Sequence, residues 1–216
     1  MKNTFKVLGI IALVAVIGFS LVACGGEDDG GGSGGTVKYP DGMTDADKPT
    51  RFSVSTLTAT INSGKVDIVF GEPIRATYTV GDWLNEETGH RVTANPSDAK
   101  FSPAKYFHSD GYEYYLICLK EDLKGSWVYL IYADKDATIK GTRDSNKVTY
   151  IGGNRTEYHE TRSVDASLKK GWNYWIVNRS GTTTERTYTE TASTNIPGGF
   201  KWFVIDREGL ISLDFN

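Results

Sequence analysis

Short runs of strand-forming residues dominate the chain from Arg51 onward. They are rich in Thr, Val, Ile, Tyr, Trp and Phe, and Gly, Asn, Asp or Pro separate them. β-Branched and aromatic side chains favour strands, whereas the separating residues favour turns. No stretch of a dozen residues shows the i, i+3, i+4, i+7 apolar spacing of an amphipathic helix. The runs predict strands at residues 55–62, 65–70, 75–80, 112–120, 126–133, 137–141, 147–151, 156–164, 172–178, 183–191 and 201–205.

The close spacing of these runs predicts an all-β fold. We expect one antiparallel β-sandwich domain at residues 50–216, and a β-barrel or two stacked small sandwiches are the alternatives. The segment at residues 81–109 is predicted to be a loop with one helical turn at 82–87. Turns are predicted where Gly is combined with Asn, at residues 62–64, 152–154 and 178–181.

Two of the predicted strands differ in the pattern of their faces. Alternate residues of the strand at 172–178 give two largely apolar faces, which predicts a central strand. In the strand at 183–191, three threonines alternate with Tyr188 and Glu190. That pattern gives two polar faces, so we expect this strand at an edge of the sheet.

The first residues have the pattern of a secretory signal. Lys2 and Lys6 precede an uncharged apolar run at residues 7–22, and the small residue Ala23 leads to Cys24. The run is shorter than the roughly 20 apolar residues that cross a bilayer as a permanent helix. We therefore predict a signal peptide at residues 1–23.

The sequence Leu-Val-Ala-Cys at residues 21–24 resembles the bacterial lipobox. The resemblance implies cleavage before Cys24 and a membrane anchor formed by lipid on the Cys24 thiol. An ordinary secretory signal with a chance cysteine is the alternative. Residues 24–49 are rich in glycine and acidic side chains, which predicts a flexible tether between anchor and domain.

Two features that follow Cys24 in the sequence bear on the cellular location of the protein. Gly25 stands where an aspartate typically retains a lipoprotein in the inner membrane. The acidic residues 27–29 resemble the export signal of some surface lipoproteins, although they could also simply keep the tether solvated. These resemblances imply an outer-membrane location and, as a further step, exposure at the cell surface.

The charge of the chain gives no indication of a nucleic-acid-binding protein, and its second cysteine has the surroundings of a core residue. The chain has 24 basic and 27 acidic side chains, and its formal net charge is −3. Loss of residues 1–23, with Lys2 and Lys6, leaves 22 basic against 27 acidic side chains, a balance of −5. No basic stripe is visible in the sequence, so we expect no nucleic-acid partner. Cys118 lies in an apolar run and is predicted to be a core residue.

Two phrases in the second half of the chain resemble a recurrent group of bacterial surface lipoproteins of unknown function. Residues 132–141 read Tyr-Ala-Asp-Lys-Asp-Ala-Thr-Ile-Lys-Gly, and residues 168–173 read Leu-Lys-Lys-Gly-Trp-Asn. The resemblance covers residues 110–205 and includes a C-terminal strand with aromatic residues. It implies a β-rich secreted domain and carries no known activity or catalytic residue to this chain.

Few residues suggest catalysis or metal binding. The sequence from Asp134 through Asp136 to Thr138 resembles the D-x-D-x-T nucleophile motif of haloacid-dehalogenase-type phosphatases, but that fold needs alternating helices and a parallel sheet. A calcium loop opened by the same aspartates lacks the Gly and the closing Glu of an EF-hand. His90, His108 and His159 lie far apart in the sequence. We therefore predict a non-enzymatic protein without cofactor or metal, with a phosphatase as the alternative.

Aromatic residues give the most direct indication of a ligand. They make up 12% of the chain and include five tryptophans. On a β scaffold, Trp172, Trp175 and Trp202 could stack on sugar rings, and packing in the core is the alternative. The sequence thus predicts a lipid-anchored binding, adhesion or assembly module whose glycan or protein ligand is unknown, with carbohydrate binding as the narrower alternative.

Overall fold

The computed structural model describes residues 37–71, 76–81, 92–120, 125–151, 154–182 and 184–210. The predicted signal peptide, Cys24 and the predicted helical turn at 82–87 lie outside these residues, as does the Gly-Gly pair at 152–153. The described residues form thirteen strands: β1 (Arg51–Val54), β2 (Leu57–Asn62), β3 (Lys65–Phe70), β4 (Thr93–Asn95), β5 (Phe101–Ala104), β6 (Phe107–His108), β7 (Tyr114–Lys120), β8 (Trp127–Ala133), β9 (Ala137–Ile151), β10 (Asn154–Leu168), β11 (Gly171–Gly181), β12 (Glu185–Ser193) and β13 (Phe200–Asp206).

All thirteen strands belong to one mixed, mostly antiparallel sheet. The order along the sheet is β3-β2-β1-β6-β7-β8-β11-β12-β10-β9-β4, while β13 pairs with β7 and β5 pairs with β8. Among the named strands, β10 and β12 form the parallel pair. The end strands β3 and β4 do not pair with each other, so the sheet is not closed. The expectation of strands is therefore confirmed, whereas the closed barrel is wrong for the described residues.

Two strands, β8 and β11, carry buried side chains on both faces. On one face, residues such as Leu130 and Tyr174 belong to a first core cluster shared with β1, β2, β3, β7 and β13. On the other face, Ile131 and Trp175 belong to a second core cluster shared with β9, β10 and β12. The central position predicted for residues 172–178 is thus confirmed, because β11 lies between β8 and β12.

Turn chemistry explains where several strands end. Ser63 and Gly64, between β2 and β3, have φ of 50° and 77°. Positive φ at both central residues is the type I′ geometry that matches the twist of a two-residue hairpin. The turn predicted at residues 178–181 is wrong, because β11 continues to Gly181, which pairs with Arg186.

Several predicted boundaries also change. The runs at 137–141 and 147–151 are one strand, β9, because the polar residues between them pair with β10 without interruption. Residues 76–80 do not form a strand, although Tyr78 makes an isolated bridge to Phe101. The predicted loop at 81–109 contains the short strands β4, β5 and β6. Its few strand-forming residues are held by neighbouring strands rather than by local propensity.

The strand predicted at an edge is an interior strand. β12 pairs with β11 on one side and with β10 on the other. Its threonines face outward, but Arg186, Tyr188 and Glu190 are buried on the opposite face. The edge position is wrong because Glu190 is buried in an ion pair with Arg162 and Arg186 is buried over the Tyr158 ring, so neither charged side chain faces water.

The folded part begins earlier than residue 50. Val37 is buried in the first core cluster, and its N–H donates to the carbonyl of Gly64 at 2.9 Å. Lys38 forms a parallel bridge with Phe203 of β13. Residues 37–49, which the sequence assigns to the tether, therefore include a segment that lies against the sheet.

Among the described residues, no helix is both long enough and apolar enough to cross a lipid bilayer.

Candidate functional site

The inward face of β9, β10, β12 and β11 collects basic side chains from four strands. Strand pairing sets Arg143 of β9 opposite Arg162 of β10 and Lys147 opposite Tyr158. Arg162 is the partner of Tyr188 on β12, which in turn lies opposite Arg179 of β11. Alternate residues of a strand share a face, so these side chains lie on one surface together with the second core cluster.

Arg186 of β12 completes this surface, since it is in register with Glu160 of β10. We call the set the basic face, and its members are Arg143, Lys147, Arg162, Arg179 and Arg186. The acidic side chains on the same surface are Glu160 and Glu190. Five cationic groups against two carboxylates leave a formal excess of about three positive charges before counter-ions screen it.

Buried ion pairs hold the centre of the basic face. Glu160 Oε1 accepts hydrogen bonds from Arg162 Nε at 2.5 Å and from Arg143 Nη2 at 3.0 Å. Arg162 Nη1 also donates to Glu190 Oε1 at 2.9 Å. The second oxygen of Glu190 accepts from Trp175 Nε1 at 2.8 Å. The network thus connects the apolar core at Trp175 to the partly exposed arginines.

Aromatic rings support two of the guanidinium groups. The Arg162 guanidinium lies 4.1 Å from the centre of the Tyr188 ring, and that of Arg186 lies 3.9 Å from the centre of the Tyr158 ring. Tyr188 in turn meets Trp127 edge to face, with ring centres 6.0 Å apart. These contacts stabilise cations in a partly desolvated position and restrict their rotamers.

These contacts shift the pKa values of three side chains on or beside the basic face. Burial raises the pKa of the Glu160 carboxyl, but hydrogen bonds and charge from Arg162 and Arg143 outweigh it and hold that pKa below its ordinary value. Burial lowers the pKa of Arg162, but Glu160 and Glu190 reverse the effect and raise it. Burial, followed by the Glu190 charge, raises the pKa of Tyr129. Glu160 and Arg162 therefore both stay charged throughout the neutral range.

On β9, two buried polar atoms that lie on the surface of the basic face have no hydrogen-bond partner among the described residues. They are Nε of Arg143 and Oγ of Ser145. Both side chains extend from β9, two residues apart, and Ser145 is in register with Glu160. A buried donor without an acceptor is costly, so its presence in a folded protein calls for an explanation.

The two phrases that carry the family resemblance meet in the structure. Asp136, after β8, accepts from the N–H of Lys170 at 2.8 Å and from Lys169 Nζ at 2.9 Å. The Asn173 side chain accepts from the N–H of Lys169 at 2.9 Å and donates to its carbonyl at 2.7 Å. Asp134 Oδ1 accepts from the N–H of Lys100 at 2.9 Å. Asp136 therefore joins the turn after β8 to the turn before β11, and Asp134 holds the segment before β5, which gives both aspartates a structural role.

The three sequence-predicted tryptophans lie in three different surroundings. Trp175 is fully buried and Trp202 is 4% exposed, so neither presents a ring face for stacking on a sugar. Trp172 is half-buried, and its ring meets Tyr132 at 5.5 Å and Phe70 at 6.1 Å between centres. Trp83 lies outside the described residues. The structure does not bring the three candidates into one site.

Other sequence candidates are also dispersed. His108 stacks on Tyr112 with ring centres 4.0 Å apart, His159 Nδ1 lies 3.1 Å from Asn146 Oδ1, and His90 is not among the described residues. Cys118 is buried in the first core cluster. In the part of the chain that the structure describes, no three His, Cys, Asp or Glu side chains are grouped to hold a metal ion.

Neither a protein-family model, nor a curated protein, nor a solved structure matches this chain.

We expect Glu160→Gln to destabilise the protein by about 3 kcal/mol at pH 7, because it removes one charge of a buried ion pair. The depressed pKa of Glu160 means that its contribution is complete above the unfolded-state pKa of about 4.3 and is lost as the pH falls through the lower folded-state value. The stability gap between wild type and variant should therefore close in acid. Urea unfolding between pH 2.5 and 7 measures it.

Glu157→Gln is the matched control, because Glu157 lies on the outward face of the same strand and its side chain is 65% exposed. Its effect should stay within about 0.5 kcal/mol at every pH. A gap for Glu160→Gln that does not change with pH would contradict the assigned charge state.

Proposed function

We propose that this protein is a lipid-anchored lipoprotein of the bacterial cell envelope that acts as a non-enzymatic binding, adhesion or assembly module. The observation that carries the proposal is the lipobox-like sequence ending at Cys24, followed by a glycine-rich segment that leads into the sheet at Val37. Lipid on Cys24 would hold the module at the membrane, and Gly25 with the acids behind it favours the outer membrane and its outer face.

The contacts of the described polar residues support binding rather than catalysis. Asp134 and Asp136, the residues that a phosphatase would need, accept backbone hydrogen bonds from Lys100 before β5 and from Lys170 before β11. The described residues also form one mostly antiparallel sheet, whereas the phosphatase motif requires alternating helices and parallel strands. A rigid sheet with a charged, partly exposed face suits recognition of a ligand whose shape and charge are complementary.

We expect Cys24→Ala to abolish lipid attachment, because the alkylated thiol is removed. The measurement is incorporation of an alkyne fatty acid in bacterial cells, followed by separation of the membranes. Cys118→Ala is the control, because Cys118 is buried in the sheet, and it should keep its label and its membrane fraction. Equal labelling of the Cys24→Ala variant and the wild type would overturn the anchor. Protease treatment of intact cells then reports which side the domain faces.

We infer that the sheet folds over itself into a layered, sandwich-like domain. The support is that its buried residues form two clusters on opposite faces of β8 and β11. Strands β7 and β8 also share only the pairs Cys118–Val128 and Leu119–Trp127, and elsewhere each faces a different short strand, β6 or β5. The two halves of the sheet can therefore diverge at this point.

Small-angle X-ray scattering of the chain from residue 25 tests this arrangement. A compact domain of this size has a radius of gyration of about 16 Å. The eleven strands of the main strand order, laid flat, would span about 50 Å, from about 4.8 Å per strand. We expect the Kratky plot of the scattering data to be bell-shaped, as for a compact particle with a short flexible tail. A plate-like profile would contradict the layered arrangement.

Carbohydrate binding is a second candidate, and Trp172 is the observation that favours it, because its indole is half-buried beside Tyr132 and Phe70. We expect any glycan-array signal of the wild type to be lost in Trp172→Ala and retained in Tyr112→Ala, which removes a 61% exposed ring elsewhere. A blank array for the wild type, or a signal insensitive to Trp172, would exclude this candidate.

A further inference from the structure

We propose that the basic face binds an oxoanion, namely a carboxylate, sulfate or phosphate group of the ligand. The site is the inward surface of β9, β10 and β12 around Arg143, Ser145 and Arg162. This inference rests on the proposed binding function and specifies its ligand chemistry. It does not depend on the lipid anchor.

The charge of this surface is opposite to that of the chain. Acidic side chains outnumber basic ones in the whole sequence by 27 to 24. On the basic face, by contrast, Glu160 and Glu190 are the acidic residues beside five cationic ones. The outward face of β9, β10 and β12 has the reverse balance, with Lys140 and Arg155 against Asp144, Glu157, Asp165 and Glu185. A local excess of one sign attracts ligands of the other.

Strand register forces two of the cations together. Arg143 and Arg162 lie directly opposite each other on neighbouring antiparallel strands. Side chains in such positions are about 5 Å apart at Cβ, and like charges there destabilise the pair. The same Glu160 oxygen accepts from both guanidinium groups, and Glu190 accepts from Arg162, so Arg143 shares its carboxylate with a second cation. A second anion beside Arg143 would reduce the remaining repulsion.

Hydrogen-bonding capacity on the basic face matches such an anion. Nε of Arg143 and Oγ of Ser145 are buried and have no partner among the described residues. Both come from one face of β9, and neighbouring side chains on that face are about 7 Å apart along the strand. A carboxylate, sulfate or phosphate presents several acceptor oxygens and can accept from both donors. Charge-assisted hydrogen bonds of this kind are the strongest in proteins.

The side chains that form this site are partly exposed. The side chains of Arg143 and Arg162 are 20% and 22% exposed, whereas that of Glu160 beneath them is 4% exposed. The arginines therefore border the solvent, and the carboxylate that orients them lies inside. Ring contacts and ion pairs already fix Arg162, so little side-chain freedom is lost on binding.

Isothermal titration calorimetry of the purified full-length lipoprotein in nonionic detergent tests the proposal. The probes are sodium phosphate, sodium sulfate and sodium glucuronate, each at constant ionic strength. We expect saturable binding of at least one of them. Arg143→Gln, which removes the guanidinium charge, should weaken that binding at least tenfold, and Ser145→Ala should weaken it severalfold.

Arg155→Gln is the matched control, because it removes the same charge from the outward face of β10, where the Arg155 side chain is 58% exposed. Its affinity should stay within twofold of the wild type. Absence of saturable binding for all three probes would overturn the proposal, as would equal losses in Arg143→Gln and Arg155→Gln. Binding to phosphatidylglycerol vesicles without binding to any soluble probe would also overturn it, because the surface would then respond to a membrane.

Ser145→Ala keeps the test decisive if Arg143→Gln fails to fold, since the serine carries no charge and takes part in no ion pair with the described residues. Thermal unfolding monitored by circular dichroism verifies the fold of each variant. Fatty-acid labelling of the same preparations reports the anchor separately. A labelled protein that binds no anion would therefore overturn this inference alone, whereas an unlabelled protein that binds one would overturn the anchor alone.

Discussion

The pairing of β8 with β11 is the interaction on which the rest of the structure depends. Seven consecutive residue pairs join the two strands, from Gly171–Ala133 to Val177–Trp127. Burial on both faces means that most side chains of these seven pairs contribute to one of two cores, at about 25 cal/mol for each Å² of apolar surface removed from water. Loss of this pair would expose both cores together.

The polar network of β9, β10 and β12 is built outward from the second core. Trp175, fully buried, donates to Glu190, and Glu190 then holds Arg162. A buried ion pair seldom adds much stability compared with apolar packing, because desolvation of both charges offsets their attraction. What the network does provide is a defined position for the arginines at the border of the core. The basic face is therefore as rigid as the sheet that supports it.

Strand content and the central position of β11 could be predicted because both depend on patterns within a few residues. The position of β12 could not, because burial of Arg186 and Glu190 requires partners on β10 and β11. Alternating threonines look the same on an edge strand and on an interior strand whose other face carries buried ion pairs. The sequence predicted two separate strands in place of β9 for a similar reason, since the polar middle of β9 is stabilised by pairing with β10.

The candidate site could not be predicted from local sequence patterns either. Its five basic residues are scattered between positions 143 and 186, where no local stripe of charge is visible. Two of the three tryptophans that the sequence favoured are core residues. The signal that could have found the site is alternation along the runs at 143–147 and 158–162, in which every basic residue falls on one face. That alternation becomes meaningful only when the register between the strands is known.

The sequence by itself determined the properties that are local. They are the strand-forming runs, the two apolar faces of residues 172–178, and the lipobox-like segment that predicts an anchor at Cys24. Only the tertiary structure decided which strands lie inside the sheet, how Asp136 after β8 joins the turn before β11, and which charges share a surface. The physical reason is that propensity and periodicity act between near neighbours, whereas strand register brings together residues as distant in sequence as Arg143 and Arg186.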